Sequence, residues 1–282
     1  MLSYQHAYHA GNFADVHKHL TLFAVIDHLL RKASPITYID THAGRGLYPL
    51  AAEETAKLQE YRDGIARLWQ ARDRLGEIPL LGEWLAALGR VQKQGNRLDH
   101  YPGSPWWLSH RLRQQDSLKL IELHPAEHSH LLQQILPRNV QRLHGDGLKE
   151  LDRRLPVKTP RLCVLVDPSY ERKAEYDEVA RAAIKAMAKV RHAVLLIWYP
   201  LLPAGRHREL LDALRADGLR KVWRSELIRP APASQQQGMQ GSGMLVVNPP
   251  WGLEEHLVTA MGAITPLLGE AVRFQHDWWI GE

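Results

Sequence analysis

Apolar residues along this chain recur in two ways. Some form short unbroken runs that suit strands buried on both faces. Others return every three or four positions, as on one face of a helix. The runs are Ile36–Asp40, Ser117–Glu122, Asn139–Leu143, Arg161–Val166, His192–Pro200, Leu219–Pro230 and Gly243–Trp251. Helical stripes separate the first five; one of them carries Tyr176, Val179, Ala183, Ile184, Met187 and Val190. This alternation predicts a doubly wound, parallel sheet. The sixth and seventh runs are joined by a loop rich in Pro, Gln, Gly and Ser, with no helix between them, which predicts an antiparallel pair at one edge. The expected fold is α/β, with a seven-stranded, mostly parallel sheet. Residues 252–268 read as a helix, and the closing stretch Ala271–Ile280 as an edge element.

Residues 1–11 hold Tyr4, His6, Tyr8 and His9 and too few aliphatic side chains for a core element. Asn12 is placed to cap a helix running to Ala33,. Val16, Leu20, Phe23 and Leu30 share one face of it; Lys18 and His19 are polar, and the stripe alone would leave them on a solvated face,. Residues 50–100 carry two helical stripes, one from Leu58 to Leu75 and one from Leu81 to Val91, and no strand-like run. They predict a helical insertion between the first and second sheet strands. Ser104 is predicted to cap the next helix, with Pro105 at its first position.

Composition narrows the function classes. The chain has 282 residues, 45% hydrophobic and 24% charged, enough for one large α/β domain or one domain with an insertion,. The single cysteine, Cys163, permits no intramolecular disulfide and sits inside an apolar run, which points to packing in a reducing compartment,. The N-terminus lacks a signal-peptide pattern, and no apolar run approaches the ~20 residues of a membrane span. A cytoplasmic location without membrane association or an obligate protein partner is expected. A formal charge of +5 favours a polyanionic partner,. Histidines crowd the N-terminus, yet no HExxH or Cys–His ligand spacing occurs, so no metal site is expected,.

Candidate chemistry gathers at the strand ends. Asp167 follows the Arg161–Val166 run, at the carboxyl end where open α/β sheets bind their ligands,. Pro168 has no N–H, so it ends the ladder and leaves carbonyls free. Tyr170 adds an aromatic plane. A carboxylate, free carbonyls and an aromatic face suit a planar amine such as adenine. After the first strand comes Asp40-Thr41-His42-Ala43-Gly44-Arg45-Gly46, whose glycines let backbone approach a ligand,. Glu122 ends the second strand, where an acidic residue commonly accepts bonds from a ribose. It comes about eighty residues after the glycines rather than about twenty, a delay the insertion accounts for,. Asp146-Gly147 follows the third strand; its carboxylate suits either an adenine amino group or the cap of the next helix.

This order of motifs resembles that of class I S-adenosylmethionine-dependent methyltransferases. Asp-Pro-Ser-Tyr resembles the [Asn/Asp/Ser]-Pro-Pro-[Tyr/Phe/Trp] motif of enzymes that methylate exocyclic amines. MLSYQHAYHAGNFADVHKH, YIDTHAGRG, YPGSP, ELHP, DPSYE, WYP and the NPPW stretch together resemble the RlmJ family over nearly the whole length. The resemblance implies a Rossmann-like methyltransferase domain, residues 1–49 and 101–282, with an inserted helical subdomain at 50–100. It implies S-adenosylmethionine as cofactor and methylation of adenine N6 at position 2030 of protein-free 23S rRNA. Family members have also been linked to the use of external DNA as a nutrient. Carried over position by position, His19, His42, Ser104, Glu122, Asp146 and Gly147 match the cofactor-holding positions. Glu122 falls at the ribose hydroxyls and Asp146 at the cofactor's adenine. Asp167 and Pro168 match the catalytic turn, which also borders the cofactor, with Tyr170 as the stacking residue. Tyr4 matches an RNA contact, and Lys18 lies in the same N-terminal motif.

Two features depart from the pattern. Ser169 replaces the family's second proline, and its freer backbone makes the loop less preorganised. Asn248-Pro249-Pro250-Trp251 spells the amine motif better but follows the seventh strand, away from the central strand ends. The reading is an RNA adenine-N6 methyltransferase in which Asp167 and the Pro168 carbonyl accept bonds from the amine. Its rivals are a DNA adenine-N6 methyltransferase with the same site chemistry and a non-catalytic nucleic-acid-binding protein.

Overall fold

The structure, a computed structural model, describes residues 5–230 and 238–281. After a 3-10 turn at His6–Tyr8 come helix α1 (Phe13–Leu30) and strands β1 (Ile36–Asp40) and β2 (Leu47–Pro49). Helices α2 (Glu53–Leu58), α3 (Ile65–Gln70), α4 (Arg72–Leu75) and α5 (Pro79–Gly89) follow, and then β3 (His100–Pro102) and α6 (Ser104–Ser109). The remainder alternates: β4 (Ser117–Glu122), α7 (Pro125–Leu132), β5 (Val140–His144), α8 (Gly147–Arg154), β6 (Arg161–Val166), α9 (Glu175–Lys189), β7 (Val194–Leu201) and α10 (His207–Ala216). It closes with β8 (Val222–Ile228), β9 (Gly241–Val247), α11 (Leu253–Leu268) and β10 (Arg273–Ile280).

The main sheet has the order β10-β8-β9-β7-β6-β1-β4-β5. Strands β5, β4, β1, β6 and β7 run parallel, whereas β9 is antiparallel to both β7 and β8. The α/β class is as expected, but the sheet has eight strands, not seven. The closing stretch is a full strand, antiparallel to β8. Its apolar residues, Phe274, Trp278, Trp279 and Ile280, are split by the polar Gln275, His276 and Asp277, which hides this in the sequence. What holds β10 is its ladder, a paired contact of Arg224 with Asp277 at 2.8 and 2.9 Å, and rings of Trp223, Phe274 and His276 lying together.

Strand alternation sorts the core into two layers. Ile36 and Tyr38 of β1, Cys163 and Leu165 of β6, and Leu196 of β7 pack on one face with α1, α5, α6 and α11. Ile39, Val164, Val166, Leu195 and Ile197 pack on the other with α8, α9 and α10. Covering both faces explains why the strands read as unbroken apolar runs.

Helix α1 is capped as expected, Asn12 Oδ1 accepting from the Asp15 N–H,. Its predicted solvated side is not there. Residues 13–26 are buried on every side, because α1 lies between the sheet and α5, α6 and α11. The cap predicted at Ser104 is also corrected. Gly103 occupies that position, and Ser104 and Pro105 are the first two helical residues. Strands β2 and β3 pair antiparallel and close the stretch that holds α2 to α5. Ile65, Leu68, Trp84 and Leu88 from that stretch join the same apolar layer as α1.

Candidate active site

Residues 17, 18 and 19 are successive positions on α1, about 100° apart around the helix. Burial on all sides gives each a different neighbour. His17 reaches Ser242 on β9 and Ser225 on β8. His19 Nδ1 lies 2.7 Å from the Tyr101 hydroxyl. Lys18 points between them, at the strand ends. Its ammonium lies 2.5 Å from Asp167 Oδ2 and 3.0 Å from Asp15 Oδ1.

Alternation also aims the carboxylates. Asp40 extends the Ile36–Tyr38 series and Asp167 the Cys163–Leu165 series, so both face the α1 layer. Two acids at neighbouring strand ends would repel, and their surroundings answer this differently. Burial raises the Asp40 pKa to about 7, against a bond from Ser104 and with help from Asp167. Burial also raises that of Asp167, but Lys18 opposes the rise. Burial would raise Asp15 too, yet His6, Lys18 and His19 hold it well below the usual carboxylate range. His6 Nε2 lies 2.9 Å from Asp15 Oδ2, and the Gly11 N–H donates to the same oxygen.

The three loops after β1, β4 and β5 are knitted together. The ladder continues past the strands, with the Thr41 N–H donating to Leu165 O and the Ala43 N–H to Ile121 O. Gly44 has φ +62, and a Cβ there would lie 2.5 Å from the Tyr48 hydroxyl,. The Gly44 N–H donates to Glu122 Oε2 at 2.7 Å, and the His124 N–H to its other oxygen at 2.6 Å. Burial raises the Glu122 pKa against these donors. A Cβ on Gly147 would meet the Thr41 carbonyl at 1.8 Å, so only glycine lets α8 start against the first loop. Asp146 caps α8, accepting from the Leu148 and Lys149 N–H groups. Arg45 binds Glu127 with two bonds, at 3.0 and 2.6 Å, and also contacts Glu54. That clamp ties the glycine loop to α7 and α2.

One cavity of about 420 Å³ lies at these strand ends. It contains Lys18, His19, His42, Ser104, Glu122, Asp146, Gly147, Asp167 and Pro168, so nine of the residues picked from the sequence converge. Tyr4 lies outside the described residues. Tyr170 is corrected: it does not line the cavity. With φ +54 it turns the chain to the opposite layer, where its ring lies 4.5 Å from that of Tyr176 and its hydroxyl donates to Trp198 O. The aromatic that does face the cavity beside Asp167 is Trp198.

Sequence reasoning did not assign His6, Asp15, Glu127 or Trp198. Asp15 carried a signal in its i, i+3 spacing from Lys18, and Trp198 lay in the WYP stretch. The N-terminal histidines disperse to separate partners. Among the described residues no group of three or more His, Cys, Asp or Glu could hold a metal. The Asn248 turn sits at the far pole. Val247 pairs with Leu195, the start of β7, whereas the cavity lies at its end. There the Asn248 amide donates to the carbonyls of Arg191 and Ala193, holding a loop in place.

A glycine loop after β1, a buried acceptor at the end of β4 and an Asp-Pro turn after β6 share one cavity. This arrangement is that of the Rossmann-like class I methyltransferases. The sequence model of a family described as ribosomal RNA large subunit methyltransferase D, RlmJ, matches residues 33–280. Ribosomal RNA large subunit methyltransferase J of Escherichia coli is 39% identical over 91% of this chain and 90% of its own. The protein of that name from Haemophilus influenzae is 38% identical over 95% and 93%. A crystal structure of a Legionella pneumophila protein superposes with a TM-score of 0.86 at 34% identity, covering 96% of this chain and 98% of that one. The chain belongs to the RlmJ family.

Proposed function

We propose that this protein transfers a methyl group from S-adenosylmethionine to the exocyclic N6 of an adenine in protein-free 23S rRNA, the position numbered 2030, in the cytoplasm. The observation that carries the reading is the Asp167–Pro168 turn, which shares one cavity with Glu122, Asp146 and Trp198.

The residues present fit the cofactor. Glu122, held by two N–H donors, offers acceptor capacity to a ribose diol. Leu123 and Leu148 flank the space beside it, as apolar covers for a planar base. Asp146 offers its carboxylate edge to an adenine amino group. Asp40 does not itself line the cavity; its carboxylate takes bonds from Ser104 and from the His42 N–H, and so positions these two lining residues. When bound, the cofactor supplies an electrophilic sulfonium methyl.

The adenine amine is a poor nucleophile because its lone pair is conjugated with the ring. Asp167 and the Pro168 carbonyl accept its two N–H bonds and favour a tetrahedral nitrogen. Burial raises the Asp167 pKa, and Lys18 opposes that rise, favouring the ionised, accepting form. Fixed acceptors at the reacting nitrogen act by position and electrostatics. The target base leaves its stack or lies in a loop. Residues 1–49 and 101–282 form the catalytic domain, and 50–100 an insertion that braces α1 and supplies the cavity with Glu60.

Labelled methyl transfer to protein-free 23S rRNA and to DNA, with wild type and Asp167→Ala, tests the reading. Wild type labels the RNA at an adenine N6 and the variant does not. Labelling of DNA alone, or an Asp167→Ala variant as active as wild type, would contradict it.

A further inference from the structure

With Tyr170 turned into the opposite layer, the site has no assigned aromatic surface for its target base. This inference rests on the methyltransferase reading above. We infer that Trp198 is the platform on which the target adenine stacks, and that a buried Ser225–His17–Ser242 relay fixes the plane of its indole.

Trp198 extends the Val194–Leu196 series of β7, so alternation places it on the α1 layer, the same side as Asp167 on the adjacent strand. It is half-buried and lines the cavity with Pro168 and Pro200. Lys18 joins the two groups: its ammonium is 2.5 Å from Asp167 Oδ2 and 5.8 Å from the Trp198 ring centroid. An adenine whose amine meets Asp167 therefore has this indole within reach of its ring.

The indole is not free to swing. Its Nε1–H donates to Ser242 Oγ at 2.9 Å. Ser242 Oγ is 3.0 Å from His17 Nδ1, and His17 Nε2 is 2.9 Å from Ser225 Oγ. Both serines and His17 are buried, and burial pushes the His17 pKa down to about 3, so the ring is neutral. A neutral imidazole has one donor and one acceptor. With the proton on Nε2, the bonds run from Trp198 to Ser242, from the Ser242 hydroxyl to His17 Nδ1, and from His17 Nε2–H to Ser225. From the other side, the Trp198 carbonyl accepts the Tyr170 hydroxyl at 2.8 Å. The motif tyrosine thus supports the platform from beneath. Locking a flat side chain before the base arrives removes an ordering cost from binding.

The test uses Trp198→Leu, which keeps apolar bulk, and Trp198→Phe, which keeps a ring. Methyl transfer to 23S rRNA, S-adenosylmethionine affinity by calorimetry, and the emission of 2-aminopurine placed at the target position are compared. Loss of a stacking face lowers kcat/KM for RNA by roughly 10- to 100-fold. Trp198→Leu shows that loss, normal cofactor affinity and unquenched 2-aminopurine. Trp198→Phe retains most of the activity and the quenching. Ser242→Ala, which frees the indole, raises KM for RNA several-fold with kcat little changed, as a positioning residue would. Trp198→Leu with wild-type kcat/KM, or with quenching intact, overturns the platform and leaves the activity standing. Equal losses of cofactor affinity and RNA activity would also overturn it, by showing a structural role. A wild type that methylates no RNA overturns the reading on which it rests.

Discussion

Lys18→Met keeps the length of the side chain and removes its charge, leaving Asp167 in the same buried place without its ammonium. At an effective dielectric of ~20, unit charges about 4 Å apart attract by about 4 kcal/mol. That corresponds to roughly three pKa units at most, and measured opposite-charge effects run from about 1 to 3. Burial already holds the Asp167 pKa above its ordinary value, so the variant's acid lies higher still. A protonated carboxyl cannot accept two bonds from the amine. The acid limb of kcat/KM against pH therefore moves up by about 1 to 3 units, and activity recovers as pH rises. Stability changes in the opposite sense. An aspartate with a raised folded pKa weakens the fold as pH climbs from its unfolded pKa through its folded one. Lys18→Met should lose about 3–5 kcal/mol at high pH and less where Asp167 is neutral. Asp15 loses the same ammonium at Oδ1 and keeps His6 and the Gly11 N–H at Oδ2, so the melting change reports both carboxylates, whereas the acid limb of the rate reports Asp167. Initial rates from pH 5 to 9.5 with saturating cofactor, and melting over the same range, measure both effects. An acid limb that stays at the wild-type pH would refute Asp167 as the acceptor.

Three further outcomes follow from the same geometry. Glu122→Ala removes the proposed ribose acceptor and strands the N–H groups of Gly44 and His124; S-adenosylmethionine affinity by calorimetry should fall about 10- to 100-fold, and an unchanged Kd would count against the assignment,. Arg45→Met leaves Glu127 buried and unpaired, and should cost about 3–5 kcal/mol in urea unfolding,. Arg45→Met with Glu127→Met should recover most of that loss, and a double variant no more stable than the single would refute the clamp. His17, neutral in the fold with a pKa near 3, makes stability fall as pH drops from about 6.5 toward 3, by about 5 kcal/mol in full,. His17→Asn should flatten that decline in acid melting curves, and an unaltered slope would rule out His17 as its source.

Much of the site was legible because strand ends carry it. Asp40, Glu122, Asp146 and Asp167 each follow an apolar run, and run order fixes which loops meet. Lys18 and His19 were placed at the site by their motif, whereas the helical stripe alone left them on a solvated side, for a physical reason. A helical stripe reports one buried face, and nothing local reveals that other layers cover the remaining sides. Tyr170 was misplaced because a tetrapeptide fixes spacing but not the sheet face to which a left-handed φ sends the side chain. Strand polarity is what separates the two Pro-containing turns. Asp167 leaves a parallel strand at its carboxyl end, whereas Asn248 leaves a reversed strand at the opposite pole. Strand β10 was underrated because an ion pair and ring contacts hold it, and neither leaves a periodic trace.

Helix α1 also limits how the chain's length can vary. Its consecutive residues 17, 18 and 19 each engage a different part of the molecule, so the helix has one permitted rotation. One residue inserted between Phe13 and Val16 would turn all three by about 100°. His17 would leave its serines, Lys18 would leave Asp167, and His19 would leave Tyr101 together. Insertions should be tolerated in the exposed loop at Gln94–Asn96 and rejected in the first turn of α1, however well the inserted residue suits a helix.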